Sequence, residues 1–175
     1  MLDARAPVLR TSEFVRLLPQ RWIFSIAPFR GRSEEVARAL GVELPGAPKR
    51  VTAGDVTYLW NGPGAWLAMS EAAGLAELVQ GVVQLAAVTE QSDGLALFRV
   101  TGPQVRAALA KLVPIDLHPS VFAPDAVALT LAAHMGAKIW QEDDGAFVLA
   151  CFRSFAGALH HALLEATAEF ETEHN

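Results

Sequence analysis

Asp116-Leu117-His118 sets a carboxylate and an imidazole on one side of an extended segment, which is how a metal-ligand or acid–base pair would begin. His134 has the chemistry of a third ligand, yet nothing in its spacing brings it to the other two. Asp116 therefore reads as a turn acceptor and His134 as a strand histidine satisfied by backbone. His160 and His161 fall on the last expected helix, where His161 and Glu165 stand four residues apart as a surface pair. The single cysteine, Cys151, lies in the apolar run FVLACF with no activating base nearby, so it reads as a buried, unreactive thiol. It cannot form an internal disulfide, which fits a reducing compartment. Arg99 and Arg153 each stand beside an apolar run and could hold an anion or a carboxylate. Arg153 is the stronger candidate, with a ligand and a partner chain both open as its target.

The motifs that would organise such residues into an enzyme are missing. Neither G-x-G-x-x-G nor G-x-x-x-x-G-K-[ST] occurs. Gly62-Pro63-Gly64 belongs to a hairpin turn and not to a helix N-terminus, so no helix dipole is available there for a pyrophosphate. No Ser, His and Asp are spaced in a way that singles them out as a triad.

Bulk properties narrow the class further. The formal charge is -5 and no block of lysine or arginine appears, which argues against nucleic acid and anionic membrane as partners. No uncharged apolar run reaches the roughly 18 residues that would span a bilayer. The start, MLDARAPVLR, places Asp3 and two arginines before any apolar stretch, so no secretion signal is expected and the cytoplasm is the expected location. The 175 residues suit a single compact domain, 1–175. With 52% apolar and only 19% charged residues, the chain has either a large core or a surface that meets another protein.

The elements that must position these residues come in two similar sets. Trp22 to Ala27 is a continuous apolar run between prolines, suited to a buried strand, followed by a helix from Ser33, as its cap, to Gly41. ELPGAPKR reads as a loop. Asp55–Trp60 and Trp66–Met69 form a hairpin around Asn-Gly-Pro-Gly, then comes a helix over about 72–85 and a strand over 87–91. After the turn at Ser92–Gly94, Leu95–Val100 is a strand and TGPQVRAALAKL a helix with Pro103 at its first position. One strand through 126–140, bent near 134–136, pairs with another over 146–152 across Asp143-Asp144-Gly145. The final helix, about 155–170, turns Phe155, Leu159, Leu163, Ala166 and Phe170 inward and Leu164 outward. WNGPGAWLAM and WQEDDGAFVLA are thus corresponding hairpins of two pseudo-repeats, about 20–92 and 93–175. The class is α+β, two fused ferredoxin-like βαββαβ halves, the second lacking its last strand. Either the strand over 87–91 pairs across the turn to serve both halves, or an edge is left for a partner.

From Val88 onward the sequence resembles the first domain of the folate-binding aminomethyltransferases, the family of the glycine-cleavage T-protein. The resemblance is carried by Ser92-Asp93-Gly94, the strand LFRV into Thr101-Gly102-Pro103-Gln104-Val105, Asp116-Leu117, Gly136 and FVLA. Over the whole chain it is similar to the gamma-subunit family of heterotetrameric sarcosine oxidases. The matching stretches are L-W-x-G-P-x-x-W-L at Leu59–Leu67, then V-T-G-P, K-L-V-P-I-D-L-H-P, F-A-P and R-S-F-A at Arg153–Ala156. In the aminomethyltransferases an acidic pair follows the glycine that matches Gly136 and supplies the carboxylate at the folate. Here those positions are Ile139 and Trp140, which cannot accept a proton.

The resemblance therefore implies a non-catalytic subunit, with a stand-alone folate-binding aminomethyltransferase-like protein as the alternative. The implied complex oxidises sarcosine to glycine and passes the methyl carbon to tetrahydrofolate. Alpha, beta and delta subunits are the implied partners, and FAD, FMN, NAD and zinc are held by those chains. No catalytic, cofactor-binding or metal residue is expected in this one. Asp116, His118, Arg153 and Leu164 are the candidates for contact with a partner.

Overall fold

The computed structural model describes residues 12–171, and every structural statement below concerns those residues. A short strand, β1 (Val15–Leu17), precedes the first repeat, which contains β2 (Trp22–Pro28), α1 (Ser33–Leu40), β3 (Arg50–Ala53), β4 (Val56–Trp60), β5 (Trp66–Ser70), α2 (Gly74–Gln80) and β6 (Ala86–Glu90). The second contains β7 (Leu95–Val100), α3 (Val105–Ala110), β8 (Val127–Ala132), β9 (Met135–Gln141), β10 (Phe147–Phe152), a 3-10 turn (Arg153–Phe155) and α4 (Ala156–Glu171).

The strands form two antiparallel sheets, in the orders β3-β4-β5-β2-β6 and β1-β7-β10-β9-β8. The expected α+β class and the two ferredoxin-like halves are both present. Alternation along the strands, with a period of two, gives each sheet two apolar faces. One face of the first sheet packs under α1 and α2, through Ile26, Tyr58, Val36, Leu40, Leu75 and Val79. One face of the second packs under α3 and α4, through Phe98, Ile139, Leu149, Leu109, Leu159 and Leu163. The remaining faces meet each other, with Ile23, Leu59, Leu67 and Met69 against Leu97, Val127, Trp140 and Val148. The result is four layers, helix, sheet, sheet, helix.

The two hairpins that echo one another in sequence are β4-β5, closed by Trp60 opposite Trp66, and β9-β10, closed by Gln141 opposite Phe147. The second half has no closing strand of its own, as its sequence indicated, but neither expected remedy is used. β6 pairs only with β2, and the open place beside β7 is filled by β1, with Val15 opposite Val100. Each sheet is therefore closed by the segment that leads into the other. The crossings match: Leu18 N–H donates to Leu97 O at 2.8 Å, and Gln91 N–H to Ile23 O at 2.7 Å.

Several local expectations are corrected. ELPGAPKR ends in strand, because Arg50 starts β3, an extra edge strand on the first sheet. The helix expected over 72–85 stops at Gln80, and its last five residues form turns closed by Val82 N–H to Val79 O and Leu85 N–H to Val82 O. Ser33 begins α1 without capping it; Arg32 holds the cap position, and its side chain pairs with Glu35. Gly41, at φ 68°, ends that helix as expected. The single bent strand over 126–140 is a hairpin, β8-β9, whose two-residue turn puts Ala133 and His134 at φ 47° and 66°. Phe155 precedes α4 and stays exposed, while Leu164 is half-buried against the core, because the buried stripe also takes in His160 and Thr167.

Candidate interaction surface

The Asp116-Leu117-His118 segment is held by its own turn chemistry. Asp116 Oδ1 accepts the His118 N–H at 2.8 Å, and the His118 ring Nδ1 lies 2.7 Å from Ser120 Oγ and accepts the Ser120 N–H at 3.3 Å. Both side chains are exposed, and Leu117 between them is buried. His134 sits in the β8-β9 turn, and no three of His, Cys, Asp and Glu gather as a metal set among the described residues. His161 and Glu165 form the helix-surface pair at 3.3 Å.

The arginines are bound within the chain. Arg153 Nε donates to Asp93 O at 2.6 Å and its terminal nitrogen to Leu95 O at 3.1 Å, so the guanidinium braces the turn that joins the two halves. Arg99 reaches Glu142 at 2.9 Å and also Asp144, and these acids raise its pKa, the hydrogen bond to Glu142 most strongly. Arg50 donates to Gln141 O at 2.9 Å and pairs with Asp143. Arg106 donates to Gln141 Oε1 at 2.9 Å and to Leu117 O, with its guanidinium carbon 4.9 Å from the centre of the Phe147 ring. Three cations thus hold the Gln141–Gly145 turn. Sequence reasoning missed this because the arginines come from three separate elements.

The groups that could react are shielded or absent. Cys151 is buried, and burial pushes its thiol up to about 11, leaving almost no thiolate at neutral pH. Ile139 is 0% exposed in the core under α3 and α4, and Trp140 is 3% exposed between the sheets. The two positions that the resemblance to aminomethyltransferases sets against an acidic pair therefore carry packed apolar side chains. Replacing either with an acid would bury a charge, which is costly unless it is paired.

A different feature stands out on the second sheet. In β8 the larger residues Val127, Leu129 and Leu131 share the face toward the first sheet, but only Val127 is covered. Leu129 is 44% exposed, Leu131 46%, and Phe152 on β10 56%. They line an open groove of about 470 Å³ that continues from the inter-sheet core at Leu95 and Ala150. Gly136 and Lys138 of β9 line it too. Lys138 is half-buried, burial lowers its pKa, and no described carboxylate lies within ion-pair range. The sequence signal was the alternation in VALTLA, which shows that one face is apolar but not whether anything covers it.

Two packed α/β half-repeats in this arrangement define a fold of the aminomethyltransferase type, with Ile139 and Trp140 as packed apolar filling. That class is visible in shape: glycine cleavage system aminomethyltransferase T from Bartonella henselae aligns with 86% of this chain and 45% of its own, with a TM-score of 0.58 at 14% identity, a likeness of fold alone. A nearer likeness is to the heterotetrameric sarcosine oxidase from Corynebacterium sp. U-96 in complex with pyrrole 2-carboxylate, with a TM-score of 0.81 at 27% identity over 89% of this chain and 84% of that one. The sarcosine oxidase subunit gamma of Corynebacterium sp. (strain P-1) is 31% identical over 152 residues, 83% of this chain and 74% of that protein. The model of the sarcosine oxidase, gamma subunit family matches residues 30–169. The chain belongs to that family.

Proposed function

We propose that this chain assembles with alpha, beta and delta subunits into a heterotetrameric sarcosine oxidase and serves there as a structural, non-catalytic part. The observation that carries this is the family match over residues 30–169 together with the shared shape, TM-score 0.81, with a heterotetrameric sarcosine oxidase. In this reading FAD, FMN, NAD and zinc are held by the partner chains, and the complex works in the cytoplasm. No helix among the described residues is long and apolar enough to cross a membrane. The stand-alone folate-binding reading is not favoured, because Ile139 and Trp140 are buried and offer a pterin no proton acceptor. Residues 1–175 act as one domain, because the strand exchange between the sheets ties the two pseudo-repeats together. Of the proposed contact residues, Asp116 and His118 present exposed side chains, Arg153 offers only what its internal hydrogen bonds leave, and Leu164 only its half-exposed edge.

Co-expression with the other subunits of such a complex tests the reading. The expected outcome is co-purification in a fixed ratio, with no saturable tetrahydrofolate binding by the isolated chain. Failure to co-purify, or clear folate saturation of the chain alone, would overturn it.

A further inference from the structure

We propose, resting on the subunit reading above, that β8 is a docking edge: an extended segment of another subunit adds beside it, laying apolar side chains on Leu129, Leu131 and Phe152 and a carboxylate on Lys138. The backbone supports this first. A two-residue turn makes Ala132 and Met135 a hydrogen-bonded pair, so Thr130 and Ala128 also bond inward to β9, while Leu131, Leu129 and Val127 turn their N–H and C=O groups outward. Val127 already uses this direction, donating to Pro48 O at 2.9 Å. Beyond it, Leu129 and Leu131 form an edge with no proline and no charge in VALTLA, the kind of edge that natural sheets otherwise blunt.

The groove beside that edge is shaped to receive a chain. Gly136, opposite Leu131, has no positive φ, and a Cβ built there meets nothing within 4 Å. The fold does not require glycine at this position, and its missing side chain keeps the groove open. Lys138 stands opposite Leu129, one strand in from the edge. A lysine that guards an edge projects from the edge strand into water; this one is half-buried beside apolar residues, where its charge gains most from a carboxylate brought by the occupant. A second copy of this chain pairing through its own β8 would bring only uncharged side chains to the groove, so a different subunit fits better.

The test uses the full chain with its partner subunits. Gly136→Val fills the groove with a residue that suits a strand, and Lys138→Glu reverses the charge; Lys138→Gln replaces the latter if the acid disturbs folding. Both variants are expected to melt like the parent and to bind the partners at least tenfold more weakly, while Lys138→Arg binds normally. Zero-length carbodiimide coupling in the assembled complex is expected to join Lys138 to an Asp or Glu of another subunit. Unchanged affinity in Gly136→Val and Lys138→Glu, or coupling of Lys138 to a second copy of this chain, would overturn the docking edge and leave the subunit reading standing. A parent chain that binds none of the subunits would remove both.

Discussion

At the scale of single residues, His160 shows how position on a helix decides chemistry. Its neighbour His161 is in water beside Glu165, whereas His160 is buried, with its ring stacked 5.6 Å from Phe98. Burial, and secondarily the charge of His161, lowers the His160 pKa. The unfolded chain therefore takes up a proton at a pH where the folded chain does not. Stability is unaffected well above the ordinary imidazole pKa of about 6.5 and falls as pH drops through that value. His160→Phe keeps the ring stack and removes the titration. Between pH 7.5 and 5.5 its melting temperature is expected to fall less than the parent's, by about 1 °C or more, in calorimetric scans. Parallel curves would show that His160 does not carry the effect. The sequence placed both histidines on the last helix and His161 on its surface with Glu165, but did not place His160 in the core, because the buried stripe is wider than its most apolar positions suggest.

Among the elements, the β8-β9 hairpin departs furthest from what its sequence announces. Ala133 and His134 occupy the left-handed region that two-residue turns usually fill with Asn-Gly, and the absence of glycine there is why the turn reads as a continuing strand. A non-glycine residue in such a conformation costs on the order of 1–3 kcal/mol unless its surroundings fix it. Ala133→Asn with His134→Gly is expected to stabilise the protein by about 1 kcal/mol, a rise of about 2–4 °C in melting temperature for a chain of this size. A lower melting temperature in the double variant would mean that the native turn is held by packing which those side chains supply. Other elements were easier to read. β2 is a continuous apolar run between prolines, and α1 combines early acids with a terminal glycine, so local chemistry and tertiary packing agree. β3 escaped notice because the alternation in Arg50–Ala53 runs for only four residues, too few to distinguish from a loop, and it is an edge strand only because β4 lies beside it.

For the whole molecule, the decisive contact is the one that fixes β1 to the second sheet. Thr101 N–H donates to Phe14 O at 2.8 Å, and Gly102, at φ 112°, lies so close to the Phe14 ring that an added Cβ would stand 3.1 Å from its Cδ1. Gly102→Ala therefore strains the backbone and displaces Phe14 at once. It is expected to cost about 1–3 kcal/mol, seen as a lower urea midpoint with the transition still single. Two separate transitions would show that the halves unfold independently and that the strand exchange does not couple them. The sequence displayed the repeat but not this exchange. Three residues before the first repeat carry little periodicity, and the place they fill is made by strands about eighty residues away. The packing of Ile139 and Trp140 was legible only in part, since the residues ruled out a carboxylate while their burial on opposite faces of β9 came from the sheet. The exchange also bears on the order in which the protein matures on the ribosome. All five strands of the first sheet lie between Trp22 and Glu90, so that sheet is complete before β7 emerges. Val15–Leu17, the earliest of the described strands, cannot pair until β7 has been made, so the first sheet can close while the strand synthesised ahead of it still waits for its neighbour.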